Sequence, residues 1–190
     1  MSVANNGYDL GLSVTGVASG APLLGLTNAA IANIGSNTQN GSFYPIAVTL
    51  IQITTEAATA CSLGLIVAAT VGTATTSTFG MANDGARDGN PNASNCPVVT
   101  AWSAAPTINA TPIYLRQITL PATAGSSVTW TWTESNPLIL DNRAAGALLL
   151  WNFGGGACPN VSVNLQWYEQ NRLGPVRTMF SNAADHTSKF

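Results

Sequence analysis

The chain has 190 residues, 46% of them hydrophobic. Charged residues make up only 7% of it, where roughly 25% is usual for a soluble domain. Six basic residues and a net charge of -2 exclude a phosphate-neutralising stripe, a polybasic membrane anchor and a charged coiled coil.

Length predicts one domain with one sizeable core. Lys189 is the sole lysine, against eighteen asparagines and twenty-two threonines. The expected surface is therefore neutral and polar. No stretch reaches the roughly 18 apolar residues of a membrane helix. Residues Met1 to Leu10 lack the basic start of a secretory signal, so synthesis in a cytoplasm without cleavage is expected.

Residues 1–42 read as an arm, punctuated by Gly7, Gly11, Gly16, Gly20, Gly25 and Gly35. Two short apolar pieces within it, around Leu12 to Val17 and Leu23 to Leu26, read as edge strands too Gly-rich to stand alone, in an arm that packs on the body or on a neighbouring subunit. The body spans 43–169. Ile46, Val48 and Leu50 alternate with polar or small residues, and Ile51 and Ile53 continue in the opposite phase. That pattern predicts a strand with a β-bulge. Leu63 to Val71 predicts a buried strand. A long loop follows, dense in turn formers from Asn83 to Asn92, and then a short strand at Val98 to Trp102.

Residues Ile113 to Ile118 alternate before Pro121. Val128 to Thr133 place Trp130 and Trp132 on one face and threonines on the other, which suits a solvated strand face without charge. The apolar run Gly146 to Phe153 predicts a central strand covered on both sides. Val161, Val163, Leu165 and Trp167 alternate with polar residues in the last strand. Gly154, Gly155 and Gly156 between these two strands read as a hairpin turn. No Lys-Ser/Thr follows them, so they are no phosphate cradle. Residues 170–190 are a polar tail. About eight strands with Gly/Pro turns predict an all-β fold, a single jelly-roll sandwich with irregular arms at both termini.

The residues that carry chemistry are sparse. His186 is the only histidine and lies in the tail, where a base in a triad would lack a rigid orienting group. Glu134 and Asp141 bracket a corner and are the one plausible carboxylate pair, read here as solvated loop residues. The loop Asn83 to Asn90 offers oxygen ligands but lacks the order of a calcium loop and contains Arg87. Trp130, Trp132, Trp151 and Trp167 have the chemistry of a sugar platform, but their spacing reads as core. Asn40, Asn92, Asn109 and Asn160 head N-x-S/T matches, which chance explains in so Asn- and Thr-rich a chain. Of the three cysteines, Cys96 and Cys158 each precede a proline; a bond between them is open, and unpaired thiols in a reducing cell are the expected state. The chain is thus expected to have no catalytic, metal or cofactor residues and not to be an enzyme.

Ile118-Thr119-Leu120-Pro121, Gly125 to Trp130, Pro137 to Leu140, Gly146 to Asn152 and Val161 to Glu169 together resemble the C-terminal half of jelly-roll proteins from tailed-bacteriophage virions. The resemblance implies a virion structural protein, often a homotrimer, that decorates or cements a capsid. Its partners would be copies of itself and the major capsid protein or another virion protein. It would be made in the host cytoplasm and reside in the virion. The alternative expectation is a carbohydrate-binding tail or fibre component that recognises host glycan.

Overall fold

The protein is seen as a computed structural model, which describes residues 6–27, 46–82, 93–133, 135–140 and 147–169. These residues form eleven strands and no helix: β1 (Asn6–Val14), β2 (Ala21–Thr27), β3 (Ile46–Thr55), β4 (Cys61–Val67), β5 (Thr73–Ala82), β6 (Ala93–Ala104), β7 (Tyr114–Leu120), β8 (Ser127–Thr131), β9 (Leu138–Leu140), β10 (Ala147–Asn152) and β11 (Val161–Glu169). The fold is all-β, as expected.

Period two governs the first sheet. In β11, Val161, Val163, Leu165 and Trp167 are buried while Asn164 and Gln166 are exposed. In β8, Trp130 is buried between exposed Thr129 and Thr131. In β3 the register with β11 jumps so that Gln166 pairs with Leu50 and Trp167 with Val48. Thr49 is the extra residue of the expected bulge. The bulge keeps Ile46, Val48, Ile51 and Ile53 inside and turns Leu50 outward. The sheet order is β1-β11-β3-β8, all antiparallel, with β9 prolonging β8 along the edge of β3.

The second sheet runs β2-β10-β4-β7. The two antiparallel sheets pack as a sandwich, and their interleaved orders are consistent with a jelly roll. β10 is buried at all six positions. Leu148 and Leu150 face the other sheet, while Ala147, Leu149 and Trp151 face out under a cover of Val71, Ile108 and Tyr114. The continuous apolar run is thus a central strand covered on both sides, as read from sequence. Gly64 in β4 makes room for that cover, because a Cβ there would meet the Tyr114 ring.

Three expectations about strands and turns need correction. Residues 6–27 are not an arm. β1 lies between β11 and β5, and β2 between β10 and β6, so both are interior strands. Of the long loop expected at 72–97, residues 73–82 and 93–97 belong to the antiparallel pair β5 and β6, which continues from β2 round to β1 and closes that side of the sandwich, while 83–92 lie outside the described residues. The turn at Gly154–Gly156 is no hairpin: β10 and β11 belong to different sheets, and residues 153–160 cross between them.

Inside, Leu23, Leu63, Leu65, Leu148, Leu150, Leu165 and Trp167 come from both sheets into one core. Each such aliphatic side chain contributes about 1.5–3 kcal/mol on burial. Tyr8 stacks on Trp167 with centroids 5.9 Å apart.

The loops 15–20, 56–60, 121–126 and 153–160 share one end and are knitted together there. Asn152, fully buried, donates from Nδ2 to the carbonyls of Val17 (3.2 Å), Ala18 (3.1 Å) and Gly156 (2.8 Å). Its Oδ1 accepts from the Gly154 amide (3.0 Å). Thr55 Oγ1 donates to the carbonyls of Thr123 and Ser126, and Asn160 Oδ1 accepts from the Gly16 amide. Cys61 and Cys158 are disulfide-bonded, with Cα atoms 4.9 Å apart. This corrects the expectation for both: Cys158 pairs with Cys61, not with Cys96, and neither is a free thiol. The strand ends at Asn6, Thr27, Ile46, Leu140, Ala147 and Glu169 all stand at the opposite end of the sandwich, which the register fixes.

Two stability predictions follow from the knitted end. Asn152→Ala removes all four hydrogen bonds of a fully buried carboxamide, and should lower unfolding stability in urea by about 2–4 kcal/mol. Reducing a disulfide that spans 97 residues should lower it by about 2–5 kcal/mol, with the far-ultraviolet spectrum of the folded state unchanged.

Candidate functional site

Several residues singled out from sequence fall outside the described residues: His186, Glu134, Asp141, the loop Asn83 to Asn90 and the whole tail 170–190. The described ones are mostly structural. Trp130, Trp151 and Trp167 are buried, as their spacing indicated. Trp132 is half-buried with the Arg116 guanidinium 5.4 Å from its ring centroid. Asn160 is spent on the Gly16 amide. Among the described residues no group of three His, Cys, Asp or Glu side chains is placed to hold a metal ion, and no helix is long and apolar enough to cross a membrane.

Asp9, Glu56, Arg116 and Glu169 are the charged residues among the described ones. What the sandwich presents instead is a grid of hydroxyls and amides on the outer face of the first sheet. Three rungs cross it. Asp9, Gln166, Leu50 and Thr131 form one; Gly11, Asn164, Gln52 and Thr129 the next; Ser13, Ser162, Thr54 and Ser127 the third. The alternation of each strand sends these side chains outward, and the β3 bulge adds Leu50 to them.

The third rung is tied to a carboxylate. Ser13 Oγ (2.7 Å) and Ser162 Oγ (2.8 Å) both donate to Glu56 Oε1. These bonds favour the charged carboxylate and hold its pKa below the ordinary 4.5, with Ser13 the largest cause, Ser162 the second and desolvation, the smallest, opposing. On the second rung Asn164 Nδ2 donates to Gln52 Oε1 at 3.1 Å. Gly11, lacking a side chain, leaves a notch over which Asn164 leans; a Cβ there would come within 2.8 Å of Asn164 Oδ1. The notch opens a groove of about 370 Å³ lined by Asp9, Gly11, Leu50, Gln52, Asn164 and Gln166.

Sequence reasoning missed this face as a site. Its polar residues are visible as the wet half of each strand. Their meeting depends on pairing residues 9, 52 and 166, which only the topology supplies. Comparison with protein-family models, curated proteins and solved structures finds no match.

The Glu56 cluster makes a testable statement about pH. A carboxyl whose pKa is lowered by folding adds stability above its unfolded pKa and loses it as pH falls through the folded value. In carboxyl-carbon NMR titrations, Ser13→Ala should raise the Glu56 pKa toward 4.5, and Ser162→Ala should raise it by less. An unmoved titration in both variants would contradict the assignment.

Proposed function

We propose that the protein is a non-enzymatic virion structural component, a capsid decoration or cement protein that acts as a homotrimer on the shell. The observation that carries this reading is the outer face of the sandwich, which is built mostly of hydroxyls and amides and carries Asp9 and Glu56 as its carboxylates among the described residues. Hydroxyls and amides can be buried in a contact without desolvating an ion, and interfaces are depleted of Lys, Glu and Asp. A surface with this chemistry suits packing against neighbouring subunits and the major capsid protein.

Two further features support it. The resemblance in 115–169 to tailed-phage jelly-roll proteins covers β7 through β11, half of each sheet. The Cys61–Cys158 disulfide suits a protein that ends in an oxidising environment, since such bonds persist on virion surfaces and are rare in reducing cytosol. The proposed mechanism is mechanical. The knitted end gives each copy a rigid body. In this reading the sheet faces make the contacts with neighbouring shell subunits, and several weak contacts per trimer multiply the affinity.

The test is the solution mass of the full chain by size exclusion with light scattering. Neutral contacts predict a trimer that persists in about 1 M salt, where the Debye length falls to about 3 Å. A monomer at all concentrations, or an oligomer that salt dissolves, would contradict the proposal.

A further inference from the structure

The groove on the outer face has a chemistry that narrows what it can hold. The Asn164–Gln52 bond uses Asn164 Nδ2 and Gln52 Oε1. It leaves Asn164 Oδ1 as an acceptor and Gln52 Nε2 as a donor, fixed relative to each other on adjacent strands. On the next rung Asp9 and Gln166 face each other. The Asp9 carboxylate has no ion pair among the described residues. Arg116, the one cation among them, is spent on the Leu115 carbonyl (2.9 Å) and the Trp132 ring. Leu50, half-buried, supplies an apolar patch beside these groups.

An anion would face Asp9 with no cation among the described residues to offset it. An apolar ligand would desolvate Asp9 and the amides and return no hydrogen bonds. A hydroxyl both donates and accepts. A neutral polyol can therefore donate to Asp9 and to Asn164 Oδ1, accept from Gln52 Nε2 and from the Gln166 amide, and lay C–H groups on Leu50. The groove volume of about 370 Å³ lies in the small-ligand range of about 300–1,000 Å³. We propose that this groove binds a sugar residue of a neutral polysaccharide, with Asp9, Gln52, Asn164 and Gln166 as its hydrogen-bonding groups. The groove uses three strands of one copy and lies on the face given to assembly contacts above, so a sugar and an assembly contact would compete for it, and the gel test below reads the sugar alone.

An open groove predicts weak binding, which suits affinity electrophoresis of the full chain in native gels cast with dextran, mannan, galactomannan or arabinoxylan. Retardation by at least one of the four is expected. Asp9→Ala and Gln166→Ala, both at exposed positions, should each weaken it about tenfold with unchanged thermal unfolding. Gly11→Val, which fills the notch, should abolish it. Free migration of the wild type in all four gels would overturn the proposal. So would retardation that survives both Asp9→Ala and Gln166→Ala.

Discussion

The buried carboxamide of Asn152 holds the loop end of this protein together. Its two Nδ2 protons are shared among three carbonyls, and its Oδ1 takes a fourth backbone group. It ends β10, the strand buried on both faces, so the packing of Leu148, Leu150 and Trp151 fixes where the amide stands. A slip of one residue would turn Asn152 over and empty all four bonds. Because the Val17 and Gly156 carbonyls lie in different loops, one side chain fastens the β1–β2 crossing to the β10–β11 crossing. The disulfide extends the lock to the start of β4. Rigidity at this end comes from satisfied polar groups, which a buried network requires if it is to stabilise at all.

With one end locked, the sandwich has little need of charge. The β5–β6 hairpin closes one side, so the two sheets form a single hydrogen-bonded path whose seam lies between β7 and β8. Exposed strand edges invite pairing with other chains. At this seam the edge of β7 carries Arg116, which caps the Leu115 carbonyl with its own side chain. Elsewhere threonine, serine and asparagine, with few carboxylates among them, keep the strand faces wet. The same chemistry makes the faces suited to neutral contacts, whether with protein or with polyol hydroxyls. Both proposals grow from it.

Much of the fold was legible in the residues. The alternation Val161 to Trp167, the Trp130–threonine pattern, the all-apolar β10 and the phase slip of β3 each report local geometry that burial on one or both faces imposes. What failed to show depends on distant partners. β1 and β2 are diluted by Gly7, Gly11 and Gly25, and their place as interior strands comes from pairing with β11 and β10, far along the chain. β5, with its run of Thr, Ala and Ser, has no hydrophobic alternation and is a strand because β6 pairs with it. The partner of Cys158 was equally hidden. Cys61 meets it because the β3–β4 and β10–β11 crossings fall at the same end of the sandwich. The groove needed residues 9, 52 and 166 on neighbouring strands, which no local pattern encodes.

Site-resolved amide hydrogen exchange on the oxidised protein tests the locked end most directly. The amides of Gly16, Gly154 and Cys158 lie in loops but donate to Asn160 Oδ1, Asn152 Oδ1 and the Val17 carbonyl. They should exchange as slowly as amides in the middle of β10 and β11, through opening of the whole sandwich. Exchange at the rate of ordinary exposed loop amides, while the strands stay protected, would show that the loop end opens on its own and would contradict the account.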